Sequence, residues 1–156
     1  DVVYSWGVLH HTGAMWQALE HVHRLVTKGG LLFIAIYNDA GSKSARWRRV
    51  KQLYNVLPRP LRSPYIVAFA GQLEMKAAVS SLACGRPGSY LKRWSKNGIR
   101  GMSHWRDLVD WVGGYPYEVA KPEEVFDFYK ARGFVLRRLK PTGGLGCNEF
   151  VFQKDA

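Results

Sequence analysis

The chain has 156 residues, 47% of them hydrophobic and 13% aromatic, a composition that suits one globular domain and excludes a disordered polypeptide. Cys84 and Cys147 lie far apart with no CxxC or Cys/His ligand spacing, which argues against a disulfide framework or a zinc site and for reduced thiols in a cytoplasmic protein. The net charge of +11 is concentrated: residues 43–106 hold fourteen Lys and Arg against the single acid Glu74, whereas the rest of the chain holds nine against eleven Asp and Glu. A near-neutral scaffold with a strongly basic middle draws anionic partners: phosphate, carboxylate, nucleic acid or an acidic membrane surface. No run of about 18 apolar residues and no signal-peptide pattern occurs, so the chain reads as soluble.

In chain order, residues 1–6 (DVVYSW) are mostly β-prone and predict a short strand that stops at Gly7. Residues 13–27 place Met15, Ala18, Leu19, Val22, Leu25 and Val26 at three- and four-residue steps, one face of a helix. Lys28, Gly29 and Gly30 then supply a basic last turn and a glycine stop. The continuous apolar run LLFIAIY, residues 31–37, predicts a strand buried on both faces. Strand, helix and buried strand form a βαβ unit, the sign of an α/β domain.

Residues 38–120 have the character of a helical insertion. Residues 44–57 predict a helix with Trp47, Val50, Leu53, Tyr54 and Leu57 on one side and Arg46, Arg48, Arg49 and Lys51 around the rest, ended by Pro58 and Pro60. Ser63 and Pro64 fit the N-cap and first position of a second helix that runs to Gly85. A GRPG turn at 85–88 and a basic segment, SYLKRWSKNG, follow. Ser103 is placed to cap a short helix halted by Gly113 and Gly114. Pro122 with Glu123 and Glu124 marks the next helix start, and residues 134–140 and 148–154 read as two strands of an antiparallel hairpin. The glycine-rich stretch at 143–148 joins two strands and precedes no helix, so it is read as the hairpin turn.

The stretch "DVVYSWGVLHH" at 1–11, the "LVTKGGLL" turn at 25–32 and the terminal hairpin together resemble the C-terminal half of a class I S-adenosylmethionine-dependent methyltransferase. Thr27 and Lys28 stand where that family often has Lys-Pro. The resemblance implies a partial Rossmann-like sheet ending in an antiparallel hairpin, divided as core at 1–37, helical basic insertion or substrate cap at 38–120, and core helix with hairpin at 121–156. It is closest to small-molecule, quinone and sugar O-methyltransferases, and the S-x-G-V-L-x-H variant is also similar to enzymes that modify the tRNA wobble uridine. The family's glycine-rich cofactor loop and ribose-binding acid precede its fourth strand. The chain therefore reads as the later part of such a domain, expected to bind no cofactor measurably by itself.

Ligands of open α/β sheets bind beyond the carboxyl ends of the strands, where residues 5–11 lie. The resemblance implies that Ser5, Trp6, Gly7 and Leu9 border S-adenosyl-L-methionine and that His10 and His11 face the transferred methyl group, one as the base that deprotonates a hydroxyl acceptor. Both histidines also admit a packing or helix-orienting role, with Thr12 an alternative cap for the helix. Tyr37, Asn38, Trp105 and Tyr117 are candidates for the acceptor pocket, or else for strand capping and aromatic packing. Glu118 is a cap or a pocket carboxylate, and no metal is expected. The acceptor is then a small or lipid-linked molecule. RNA held by the basic helix 44–57, and an acidic membrane beneath helices 44–57 and 64–84, are the alternatives.

Overall fold

The computed structural model describes residues 1–85 and 104–155 and is a mixed α/β structure. The GRPG turn, the basic segment after it and the Ser103 cap fall outside the described residues. Two compact units are formed, Asp1–Arg49 with Tyr115–Ala156, and Val50–Gly114. These divisions lie inside the 38–120 span expected for the insertion.

The first unit is built on a four-stranded sheet of order β1-β2-β4-β3, with β1 at Val2–Trp6, β2 at Leu31–Tyr37, β3 at Phe134–Lys140 and β4 at Cys147–Lys154. β1 and β2 are parallel, with Val2 opposite Leu31 and Trp6 opposite Ala35. β4 runs antiparallel to both β2 and β3. The hairpin is thus inserted with its second strand against β2. An irregularity between Leu136 and Arg138 then leaves Leu139 opposite Phe150, the added residue re-aiming the strand as a bulge does.

One face of this sheet carries the core. Leu32, Ile34 and Ile36 of β2 and Phe150 and Phe152 of β4 are fully buried beneath α1 (Met15–Leu25) and the helix at Pro122–Lys130, which contribute Met15, Leu19, Val125 and Tyr129. The ring centroids of Tyr129 and Phe152 stand 4.8 Å apart. The opposite face differs from the expectation of full burial: Leu31, Phe33 and Tyr37 are half-buried, and on β1 Val2 and Tyr4 are exposed. Tyr4 stacks on Phe33 at 5.1 Å. Continuous apolarity in β2 therefore reflects a central strand with one deeply covered face and one partly covered.

In the second unit the helix α2 (Ser42–Val56), which begins in the first unit, is followed by α3 (Arg59–Ala83) and α4 (His104–Gly113); the helix Pro122–Lys130 is then α5. α3 begins earlier than Ser63. Pro58 precedes it, Pro60 sits in the first turn, and Pro64 lies inside the helix. Proline is tolerated in a first turn because the N–H it lacks has no partner there, whereas at Pro64 one intrahelical bond is given up. The α2–α3 corner is closed by Arg62, whose Nε donates to Leu57 O (3.0 Å) and Nη2 to Asn55 O (3.1 Å). Two carbonyls left over at the end of α2 are thereby satisfied.

Candidate functional site

The carboxyl ends of β1 and β2 meet in the first unit, and a short extended segment, residues 116–120, crosses them. Its backbone is tied to both sides: Glu118 N donates to His10 O (3.0 Å), Ala120 N to Tyr37 O (3.0 Å), and Asp39 N to Ala120 O (3.1 Å). These hydrogen bonds, with the isolated parallel bridge between Asn38 and Ala120, hold the strap against the strand ends. The sequence marks it only as a proline- and tyrosine-bearing stretch after a glycine pair.

After β1 the chain turns at Gly7, whose φ of +76° is in the left-handed region that favours glycine, and a Cβ there would meet nothing within 4 Å. The backbone at this turn is open to close approach. Ser5, Trp6 and Gly7 are half-buried, while Leu9 is buried in the core at the start of a 3-10 turn, Leu9–His11.

The two histidines occupy different environments. His10 is 1% exposed, its ring centroid 4.0 Å from that of Tyr37 and 4.6 Å from that of His11. His11 is half-buried, and its Nδ1 lies 2.6 Å from the Pro116 carbonyl of the strap. A carbonyl accepts only, so Nδ1 carries the proton and, in the neutral ring, Nε2 keeps its lone pair. This is the tautomer a general base requires, with the orientation of the ring set by the strap.

Tyr37 lies between the histidines and Tyr117, 5.5 Å from His11 and 5.1 Å from Tyr117 by ring centroid. Tyr117 is 2% exposed, and burial raises its pKa above the usual phenol value. It forms the wall behind Tyr37. Asn38 uses both ends of its amide: Nδ2 donates to Gly144 O (3.1 Å) and Oδ1 accepts from Asn148 Nδ2 (3.1 Å). Asn148, buried at 1%, also accepts from Thr142 N (2.9 Å). The glycine-rich hairpin loop is held to the end of β2 in this way, a role that neither asparagine reveals in sequence.

Both carboxylates at this edge serve the backbone. Glu118 places both oxygens 3.1 Å from Met15 N at the start of α1, and Asp39 Oδ1 accepts from Gly41 N (2.8 Å). Glu118, expected to cap the helix it precedes or to line the pocket, instead caps α1 from a distant segment, while Lys121 stands at the N-cap of the helix that follows it. Thr12, the alternative cap, hydrogen-bonds to Leu9 O and to Ala14 N within its own turn.

Helix 44–57 presents one cation fewer than its sequence suggests: Lys51, expected on the solvent side, is 1% exposed with Nζ bonded to Trp111 O. Arg46, Arg48 and Arg49 are exposed, Arg48 donating from Nε to Tyr117 O (3.2 Å). Trp105 lies on α4 of the second unit and is 41% exposed. Among the described residues no group of three His, Cys, Asp or Glu side chains is arranged to hold a metal, and the two cysteines are unbridged.

No protein-family model, curated protein or solved structure matches this chain.

Proposed function

We propose that the site at the carboxyl ends of β1 and β2 serves S-adenosylmethionine-dependent methyl transfer to the hydroxyl of a small or lipid-linked acceptor, on a sheet of Rossmann-like descent. The observation that carries this reading is the His11 ring, pinned through Nδ1 to Pro116 O with Nε2 left basic, at the end of a β strand where ligands of such sheets bind. The parallel β1–β2 pair followed by an antiparallel hairpin supports the fold assignment.

The residues present fit the methyl-bearing end of the cofactor. Gly7 leaves open space beside the backbone, and the half-buried Ser5 and Trp6 flank it. When bound, S-adenosylmethionine supplies a methyl group on a sulfonium, which becomes a neutral thioether once the methyl is displaced. His11 Nε2 takes the proton of the acceptor hydroxyl as the oxygen–carbon bond forms, and the Pro116 carbonyl stabilises the imidazolium through Nδ1–H. His10, being buried, acts by holding Tyr37 and His11 in place. Tyr37 offers an aromatic edge for orienting the acceptor, and alignment of donor and acceptor is a large part of such catalysis.

The test uses the protein expressed from its complete reading frame, with S-adenosylmethionine binding by calorimetry and transfer of labelled methyl to a panel of phenolic, quinol and lipid-linked hydroxyl acceptors. His11→Ala is expected to leave cofactor affinity within about twofold and to lower kcat on the order of 10²–10⁴-fold, the usual size of a general-base contribution. A protein that does not bind the cofactor, or a His11→Ala variant with unchanged kcat, would sink the reading.

A further inference from the structure

The loop between β3 and β4 is held by a pair of amide side chains. Asn148, 1% exposed, donates from Nδ2 to Asn38 Oδ1 (3.1 Å) and accepts from Thr142 N (2.9 Å). Asn38 donates from Nδ2 to Gly144 O (3.1 Å) and from its main-chain N to Gly146 O (2.9 Å). Burial of an amide is repaid only when its hydrogen bonds are made, and an antiparallel hairpin closes without any such pair. Surface loops are ordinarily mobile, whereas Thr142 N, Gly144 O and Gly146 O tie this one to the end of β2 and the start of β4.

Its position and its glycines point to a ligand. In the strand order β1-β2-β4-β3, the β1 loop that carries His11 and the hairpin loop stand on either side of β2 at one edge of the sheet. Two strand spacings, about 10 Å, separate β1 from β4. Tyr37, 5.5 Å from His11 by ring centroid and opposite Cys147 in the sheet, lies between them. Gly143 and Gly144 lack the positive φ that favours glycine, and a Cβ at either would meet nothing within 4 Å. Neither backbone conformation nor packing accounts for glycine at these two positions, whereas close approach of a ligand to the backbone does. We propose that Thr142–Gly146 is the far wall of the acceptor site, held by Asn38 and Asn148 as positioning residues, and that it sets how bulky a hydroxyl acceptor reaches His11. The proposal rests on the reading of this site as one of methyl transfer. With glycine at 143 and 144 the wall is low, so a chain borne on the acceptor passes over it; a large side chain there closes that path.

The test uses the protein expressed from its complete reading frame and two acceptors from the panel above that share a hydroxylated ring and differ by one chain. Gly143→Phe, at an exposed position with open space, is expected to raise KM for the chain-bearing acceptor on the order of tenfold more than for the shorter one. Asn148→Ala is expected to raise KM for both by a larger factor than it lowers kcat. A second measurement needs no turnover: amide hydrogen exchange at Gly143–Gly146 should be faster in Asn148→Ala by about tenfold, with the exchange of β2 unchanged. Equal KM changes for the two acceptors in Gly143→Phe, or loop exchange that Asn148→Ala leaves as slow as in the wild type, would overturn the wall while methyl transfer stands. A wild type that neither binds S-adenosylmethionine nor methylates any acceptor would remove the methyl-transfer reading, and this proposal with it.

Discussion

Pro116 and Glu118, two residues apart on one extended strap, act on opposite sides of the β1 loop. The Pro116 carbonyl selects the His11 tautomer, and the Glu118 carboxylate accepts from the first N–H of α1. An N-terminal helix N–H carries partial positive charge and has no intrahelical partner, so an ionised oxygen there stabilises the helix. Glu118→Ala is expected to cost about 1 kcal/mol, the usual value of a lost N-terminal cap, and Glu118→Gln less, since an amide oxygen still accepts. Urea denaturation of the two variants checks this; equal and negligible losses would remove the capping role. Glu20 shows the same economy: the hydrogen bond from Arg132 Nε (2.7 Å) holds its carboxyl below the usual range. Its contribution to stability is present above the unfolded-state pKa and fades as pH falls through the lower folded one.

At the scale of elements, the α2–α4 contact depends on a buried amine. Lys51 Nζ bonds to Trp111 O, and Asn55 Nδ2 to Gly113 O (3.0 Å), so α2 side chains satisfy two carbonyls at the end of α4. The helices approach closely: a Cβ at Gly113 would stand 2.8 Å from Tyr54 Cε1. Burial lowers the Lys51 pKa to about 8, below the roughly 10.4 of an unfolded chain. Between those values the unfolded state binds more protons, so this residue makes stability rise with pH; below about pH 8 the cost of burying the charge is fully present. Between pH 7.5 and 9.5 the wild type is expected to gain on the order of 1–2 kcal/mol relative to Lys51→Met. Parallel pH profiles for the two proteins would contradict it. The comparison stops short of pH 10, where Tyr129, its pKa raised by burial, contributes with the opposite sign.

For the whole first unit, stability is concentrated where the hairpin returns to β2. Phe152 faces Tyr129 and Phe150 at 4.8 and 5.7 Å and lies opposite Leu32 and Leu136 in the sheet. Phe152→Ala is expected to cost about 3–5 kcal/mol, as aromatic truncation in a packed core does. Thermal unfolding followed by near-ultraviolet circular dichroism measures it, and a loss below about 1 kcal/mol would mean that the site collapses around the cavity.

The elements with strong local signals were legible without a structure. β2 has the bounds of the run LLFIAIY, α5 begins at Pro122, and the hairpin strands fall within a residue of their expected limits. Periodicity, proline and glycine act over a few residues, and the sequence records them directly. α3 was misread at its start because Ser63-Pro64 carries a stronger local start signal than Pro58-Arg59-Pro60, while packing of Ile66 and the Arg62 bonds hold the earlier turn. The candidate site was half legible. Residues 5–11 and Tyr37 lie at strand ends as expected, but the bonds made by Pro116, Ser44 and Asn148 carry no sequence signal, and Lys51 was placed on the wrong side of its helix. The sequence by itself determined which segments become strands and helices, and that positive charge gathers in the middle of the chain. Only tertiary structure decided that β4 enters beside β2, that the strap crosses the strand ends, and which cations are buried. Those outcomes depend on hydrogen bonds between residues as far as 131 positions apart, which no local pattern encodes.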